Sequence, residues 1–440
     1  MHVFRGILGV AVLLALLVVF SQDRRAINWR LVAGGLLLQL ALAACFFGTE
    51  LAAAVVEPLA GFFVKVTDYS AEGARMVFGK LVDLPTMGGL FGRDGAFVFA
   101  FQVLPTIIFF SALTSVLYYC GILQRIVFGC AWVMKRVMRL SGAESLAAAG
   151  EVFLGQTESA LLVKPYVARM TRSEVCTMMI GGMATIAGGV MAAYIGMLGG
   201  DQEIERLKFA RWLLCASLMS APAAIVVAKI LVPEKEEIDE SLHVPRDEIG
   251  ANLFDSLASG TTQGLMLAMN VGAMLIAFVA FAAMLNGLLG WIGGIIPDGS
   301  GGSLNSAIAA VSGGVFEGLS LQSLFGTLMA PAAWLAGVDG SEMLRSGQLL
   351  GTKMALNEFV AYDGLGRMKA AGQLSERAVF LMTFALCGFA NLGSVGIQLG
   401  GIGALAPGQR KVLASLGFRA LVGGTVATLL TAAVAGMFRP

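Results

Sequence analysis

Two carboxylates, Glu158 and Glu358, lie in otherwise apolar stretches, each beside an amide, in Gly155-Gln-Thr-Glu158 and in Leu356-Asn-Glu-Phe359. An ionisable group at bilayer depth costs about 2.5 kcal/mol or more on insertion scales, so such a group by default marks a substrate or ion path. The plainer account is that each caps a half-helix or pairs with Lys164 or Lys353 at a membrane surface. Their matched placement favours chemistry over capping. Asn391 and Ser394 sit in the glycine-punctuated centre of another apolar run, where a helix break would aim both side chains inward, and interhelical hydrogen bonding is the competing explanation. Phe389 gains interest only from standing two positions before Asn391. Thr185 and Ile186 offer a hydroxyl and a carbonyl to a small hard cation if their helix unwinds. A threonine bonded back to its own helix is the commoner outcome.

The elements that must hold these groups are membrane helices. Of 440 residues, 57% are hydrophobic and 13% charged, against about 25% charged in soluble domains, so lipid must be the solvent. Seven apolar runs could cross about 30 Å of hydrocarbon as helices, and a shorter first helix makes eight. They are Ile7 to Phe20, Leu31 to Phe47, Ala96 to Leu117, Val175 to Leu198, Trp212 to Val232, Gly264 to Ile296, Ala378 to Leu399 and Val412 to Phe438. The first has no cleavage site after it, and Arg5 must snorkel if it extends toward Phe4. Glu57 to Val82 reads as an interfacial helix. Basic residues at Arg24, Arg25 and Arg30, at Lys164 to Arg172, and at Arg410 and Lys411 mark cytoplasmic loops. The segment from Pro233 to Asn252 is the one clearly solvated linker and lies within a single membrane domain.

The chain also echoes itself. Glu158 precedes Gly188 by the same 30 positions that separate Glu358 from Gly388. Each carboxylate is followed by a Ser-Glu pair and then by a helix interrupted by small residues. Inverted repeats are the usual architecture of secondary transporters. Ser141 to Met170 is too polar at its centre for one span, but each side of Gly155-Gln156-Thr157 makes a half-helix that turns back at mid-membrane. The same holds for Gly347 to Asp363 around Asn357 and Glu358. Free backbone groups at such turns are tolerated only where they line a cavity or are buried in protein.

Several functions are excluded or disfavoured. A net charge of +1 gathers no nucleic acid. The only histidines are His2 and His243, outside the apolar spans, so no intramembrane zinc site forms, and the six cysteines show no CxxC pairing. An enzyme using Glu158 and Glu358 as acid and base lacks an accompanying metal cluster, phosphate motif or activated nucleophile. A dicarboxylate carrier would place Arg at its turns, where this chain has carboxylates and amides.

With these residues in hand, the sequence resembles the concentrative nucleoside transporter family, bacterial branch. The resemblance is carried by Gly155-Gln-Thr-Glu158 with Leu162-Val-Lys-Pro165, by Gly182-Met-Ala-Thr-Ile-Ala-Gly188 and by Asn270-Val-Gly-Ala-Met274. Gly351-Thr-Lys-Met-Ala-Leu-Asn-Glu-Phe-Val-Ala-Tyr362 and Cys387-Gly-Phe-Ala-Asn391 with Ser394-Val-Gly-Ile-Gln398 complete it. It implies an all-α integral membrane protein of eight transmembrane helices and two re-entrant hairpins, with inverted repeats and broken helices. By the same likeness it is a homotrimer in the bacterial inner membrane, a secondary active symporter rather than an enzyme, importing nucleosides uphill by an elevator-like motion. Residues 1–440 would form one membrane domain, with 1–140 and 250–340 mainly scaffold and 141–235 and 341–440 mainly transport subdomain. Gln156, Thr157 and Glu158 would face the nucleobase beside Val190. Glu358, Asn391 and Ser394 would hold the ribose hydroxyls, with Phe389 against sugar and base.

The resemblance also implies a sodium site formed by the Leu154 carbonyl, the Thr185 hydroxyl and the Ile186 carbonyl. Sodium-using members commonly carry Asn five positions before the hairpin Gln, where this chain has Glu151. That carboxylate either binds sodium more strongly or takes up a proton and converts the coupling. A carrier of another small neutral polar solute, such as a nucleobase, is the alternative within transport.

Overall fold

The computed structural model describes residues 2–48, 50–91, 97–239, 241, 251–299 and 301–438, and every regular element among them is a helix. Seven helical stretches are long and apolar enough to span a membrane: His2–Val19, Trp29–Gly48, Phe99–Tyr119, Arg172–Gly199, Glu203–Leu231, Leu253–Ile295 and Pro407–Phe438. The eighth expected span, Ala378 to Leu399, is divided into Glu376–Ala385 and Leu392–Leu405, neither of which crosses alone. Arg172–Gly199 is likewise interrupted, between Arg172–Ala184 and Gly188–Gly199. The expected start of the third span at Ala96 lies outside the described residues. Within 57–82, the residues form the end of a helix, Glu50–Phe78, and a 3-10 turn, Gly79–Val82.

Arg5 is accommodated by partners rather than by water alone. Its guanidinium pairs with Asp339 at 2.9 Å, donates to the Val338 carbonyl and lies 5.0 Å from the centroid of the Trp334 ring.

The centre of the protein is Glu203–Leu231, almost wholly buried against both halves of the first broken helix, Trp29–Gly48 and Arg410–Phe438. Leu253–Ile295 is the opposite case. Its 43 residues leave most side chains exposed, among them Met266, Met269, Ile276, Phe281, Met284 and Trp291. At about 1.5 Å per residue it is roughly 65 Å long, twice the hydrocarbon thickness.

Two folded-back segments carry the paired carboxylates. The first is Gly142–Glu151 followed by Glu158–Leu162, and the second is Met343–Ala355 followed by Glu358–Ala370. Each is followed by one of the broken helices. The two breaks touch. Gly388, at a φ of +89° that disfavours any side chain, places its Cα so that an added Cβ would strike the backbone of Met183 and Ala184 at the end of the first half-helix.

A buried ionic knot closes one end of this assembly. Lys229 lies 2.8 Å from Glu144 and 3.4 Å from Glu234, and donates to the Ser173 hydroxyl at 3.0 Å. It thereby joins the first folded-back segment, the first broken helix and the central helix. Thr171 adds a capping box with Glu174 and donates to Glu234 at 2.7 Å. Stripping one partner from a buried pair leaves an uncompensated charge, at a cost of about 3–5 kcal/mol. Lys229→Met should therefore lower the melting temperature of the detergent-solubilised protein sharply, and adding Glu144→Gln should recover much of the loss. Equal stability of Lys229→Met and wild type would show the knot to be inert.

Candidate functional site

Glu358 opens the second arm of its folded-back segment and is 3% exposed. Asn357, the residue before it, caps that helix by accepting from the Val360 amide at 3.0 Å, and so fixes where the Glu358 side chain emerges. One carboxylate oxygen accepts from Asn391 Nδ2 at 2.8 Å. Asn391 in turn is the N-cap of Leu392–Leu405, its Oδ1 accepting from the Ser394 amide at 2.8 Å. A break was needed to place Asn391 at a cap, and the Cys387-Gly-Phe-Ala run supplies it.

The Ser394 hydroxyl then receives a long bond, 3.4 Å, from Gln156 Nε2 at the turn of the first folded-back segment. Gln156 Oε1 is buried and has no hydrogen-bond partner. Next in sequence, Thr157 donates to Glu158 Oε2 at 3.2 Å. A polar thread thus runs from Glu358 through Asn391, Ser394 and Gln156 to the turn that carries Glu158.

Glu158 is half-buried and lines a cavity of about 310 Å³ together with Leu154, Gly155, Gly188, Gly189 and Val190. Glu358, Asn391 and Ser394 are not in that lining, and nor is Phe389, which is half-buried. The structure therefore brings the expected residues together as two adjoining groups, a cavity wall and a buried relay, rather than as one open chamber.

The opposite wall was missed in the sequence. Ser111, Thr114, Ser115 and Tyr118 line the cavity, all from Leu104–Tyr119, with Gln263 from the long helix. Spacings of three and four put these hydroxyls on one helical face. That polar stripe in an otherwise apolar span was the available signal. Tyr194 was missed as well: its ring lies 4.3 Å from that of Tyr362, and its buried hydroxyl faces the Glu358 carboxylate.

The candidate ion ligands cluster at the first break. Glu151 is 1% exposed, and its carboxylate has no side-chain partner among the described residues, lying instead against the Gly182 backbone amide. The carboxylate packs so closely on Gly181, in the last turn before the break, that any side chain there would have to displace it. Thr185 does bond back to its helix, hydroxyl to Gly181 carbonyl at 2.9 Å, which leaves its oxygen lone pairs available. Ile186 lies within the break, and the Gly188 amide donates to the Phe153 carbonyl at 3.0 Å, tying the break to the turn that carries Leu154. Carboxylate, hydroxyl and carbonyl oxygens make a hard donor set, and a buried carboxylate is neutralised either by a proton or by a cation held against it. These residues fit Na+.

Residues 212–436 match the family described as Na+ dependent nucleoside transporter C-terminus, residues 8–81 its N-terminal counterpart, and residues 100–201 a nucleoside recognition family. The chain belongs to the concentrative nucleoside transporter family. The nucleoside permease NupC of Helicobacter pylori is 37% identical over 98% of this chain and 97% of its own. The structure of CNTnw in an inward-facing substrate-bound state is similar with a TM-score of 0.87 and 39% identity, over 100% of this chain and 98% of that one. A double variant of CNTnw in an outward-facing state matches with the same score, identity and coverage. The protein is thus a multi-pass membrane transporter and not an enzyme.

Asn391 both caps a helix and serves the Glu358 carboxylate. Asn391→Ala should cost about 1 kcal/mol for the lost cap and a further 1–3 kcal/mol for the stranded carboxylate. Thermal unfolding in detergent measures this. A loss confined to the cap would mean that the Glu358 contact contributes nothing.

Proposed function

We propose that the buried relay and the cavity wall together form the nucleoside site, and the cluster at the first break the site of its coupling ion. The protein takes up nucleosides by cation-coupled alternating access, with Na+ as the coupling ion. The observation that carries the site assignment is the thread from Glu358 to Gln156, which joins both folded-back segments through Asn391 and Ser394.

The chemistry divides along that thread. Glu358, as acceptor, and Asn391 and Ser394, as donors and acceptors, suit the vicinal hydroxyls of a ribose. Gln156 presents an unused carbonyl and a weakly engaged amide to the edge of a base. Thr157 and Glu158 extend that edge, directly or through water. Phe389 supplies an apolar face for sugar and base, and Val190 the wall beside it. A nucleoside entering between Gln156 and Ser394 would replace a 3.4 Å bond with better ones, so the site is closed by a contact that is easily broken.

Na+, when bound, supplies the positive charge that balances Glu151, with the carbonyls of Leu154 and Ile186 and the hydroxyl of Thr185 completing its shell. Those ligands span the turn of the first folded-back segment and the first break. Ordering them positions Gln156, two residues from Leu154, and Val190, four from Ile186. Coupling then follows from the ion preparing one wall of the nucleoside site.

Residues 141–235 and 341–440 carry both sites and are assigned to the moving subdomain, with 1–140 and 250–340 as scaffold. A homotrimer rests on the family likeness, and the exposed apolar face of Leu253–Ile295 would then meet either lipid or its copies. The basic residues between spans support an inner-membrane location with those loops in the cytoplasm.

Reconstituted vesicles test the assignment. An inward Na+ gradient at fixed pH should drive uridine or adenosine accumulation, and a pH gradient without Na+ should not. Glu358→Gln should weaken nucleoside binding roughly tenfold to a hundredfold, the range of a lost charged hydrogen bond. Retained affinity in that variant would remove Glu358 from the site. Glu151→Gln should raise the Na+ concentration for half-maximal uptake by roughly tenfold or more, and an unchanged Na+ curve would move the ion elsewhere.

A further inference from the structure

Near its end, the first arm of each folded-back segment sends an ionisable side chain to the break in the helix that follows it, and the two charges are opposite. In the first repeat Glu151, the last residue of its arm, meets the final turn before the break with no side-chain partner among the described residues. In the second repeat Lys353 does the equivalent and is fully served. It is 2% exposed, and its ammonium donates to the Ala385 carbonyl at 3.1 Å, the Cys387 carbonyl at 2.9 Å and the Thr428 hydroxyl at 3.4 Å. No ion pair joins it to Glu358 or to another carboxylate of the described residues.

Ala385 ends the first half of the second broken helix, and Cys387 lies in the break. Their carbonyls are of the kind that a helix terminus leaves unsatisfied, at the negative end of its dipole. Two carbonyls and a hydroxyl converging on one cation is a small-cation coordination set. Here the protein supplies the cation itself.

We propose that Lys353 is a tethered counterpart of the coupling ion: its ammonium permanently fills, in the second repeat, the place that an exchangeable cation fills in the first. The comparison with the first repeat rests on the site assigned above. The consequence is a division of labour. One break is ordered only when an ion arrives, and the other is always ordered. Lys353 is a positioning residue: by holding the carbonyls of residues 385 and 387 it fixes the strap 386–391, which delivers Phe389 and Asn391.

Removing the side chain beyond Cβ should leave a slot for a free primary ammonium. Lys353→Ala should bind uridine about tenfold more weakly than wild type in purified, detergent-solubilised protein, a range typical of stranded buried acceptors. Propylammonium, which matches the deleted atoms, should restore that affinity and raise the variant's melting temperature in a saturable way, as any ligand of the folded state must. Tetramethylammonium, a cation with no N–H, should do neither. Lys353→Met, which keeps the apolar stem and fills the slot, should be impaired and unresponsive to amine.

The proposal is overturned if propylammonium changes neither the affinity nor the melting temperature of Lys353→Ala, if tetramethylammonium serves equally well, or if Lys353→Met binds like wild type. It is also overturned if Lys353→Ala fails to assemble even when prepared in propylammonium. Failure of the wild-type protein to bind nucleoside would instead defeat the functional reading. The amine-dependent change in melting temperature would still report on Lys353.

Discussion

Carbonyl groups released from a helix in the middle of a membrane have no water to turn to, and the design of this protein follows from that shortage. Each of the two broken helices frees backbone oxygens where an unmet polar group costs several kcal/mol. A folded-back segment lies against each break and brings the missing partner. Around the second break Lys353 meets two carbonyls, and Asn391 caps the helix that restarts. Around the first, the Phe153 carbonyl takes the Gly188 amide, while Glu151 adds charge instead of satisfying it. At the first break, therefore, a buried carboxylate stands beside free backbone oxygens, and a cation is the natural complement.

Much of this was legible in the sequence, because polar residues in lipid-facing or buried helices are costly and therefore conspicuous. The turns at Gln156 and Asn357, the breaks after Ala184 and Ala385, and the inward position of Asn391 follow from carboxylates, amides and glycines standing where only apolar residues are cheap. The echo of Gly188 and Gly388 holds in spacing but not in local role. Gly188 restarts a helix, whereas Gly388 lies in the break itself, three residues before its own restart at Asn391 and Leu392, because its backbone must pass that of Ala184.

What stayed hidden has a common cause. Ser111, Thr114 and Ser115 are individually tolerable in a membrane helix, so none stood out, and only their shared face reveals a cavity wall. Gln263 fell just before the apolar run chosen as a span, although the helix begins ten residues earlier at Leu253. Lys353 looked like a surface partner for Glu358, since sequence spacing does not reveal that its ammonium reaches across to a different helix. Burial of Lys229 with Glu144 was equally invisible, because the two are 85 positions apart in the chain.

The abutment of Gly388 on Met183 and Ala184 bears on the economy of the whole cycle. Main chain rests on main chain there, so any side chain at position 388 would wedge the two breaks apart, and the ion-binding and sugar-binding sides share a seam with no room for one to be reshaped without pressing on the other.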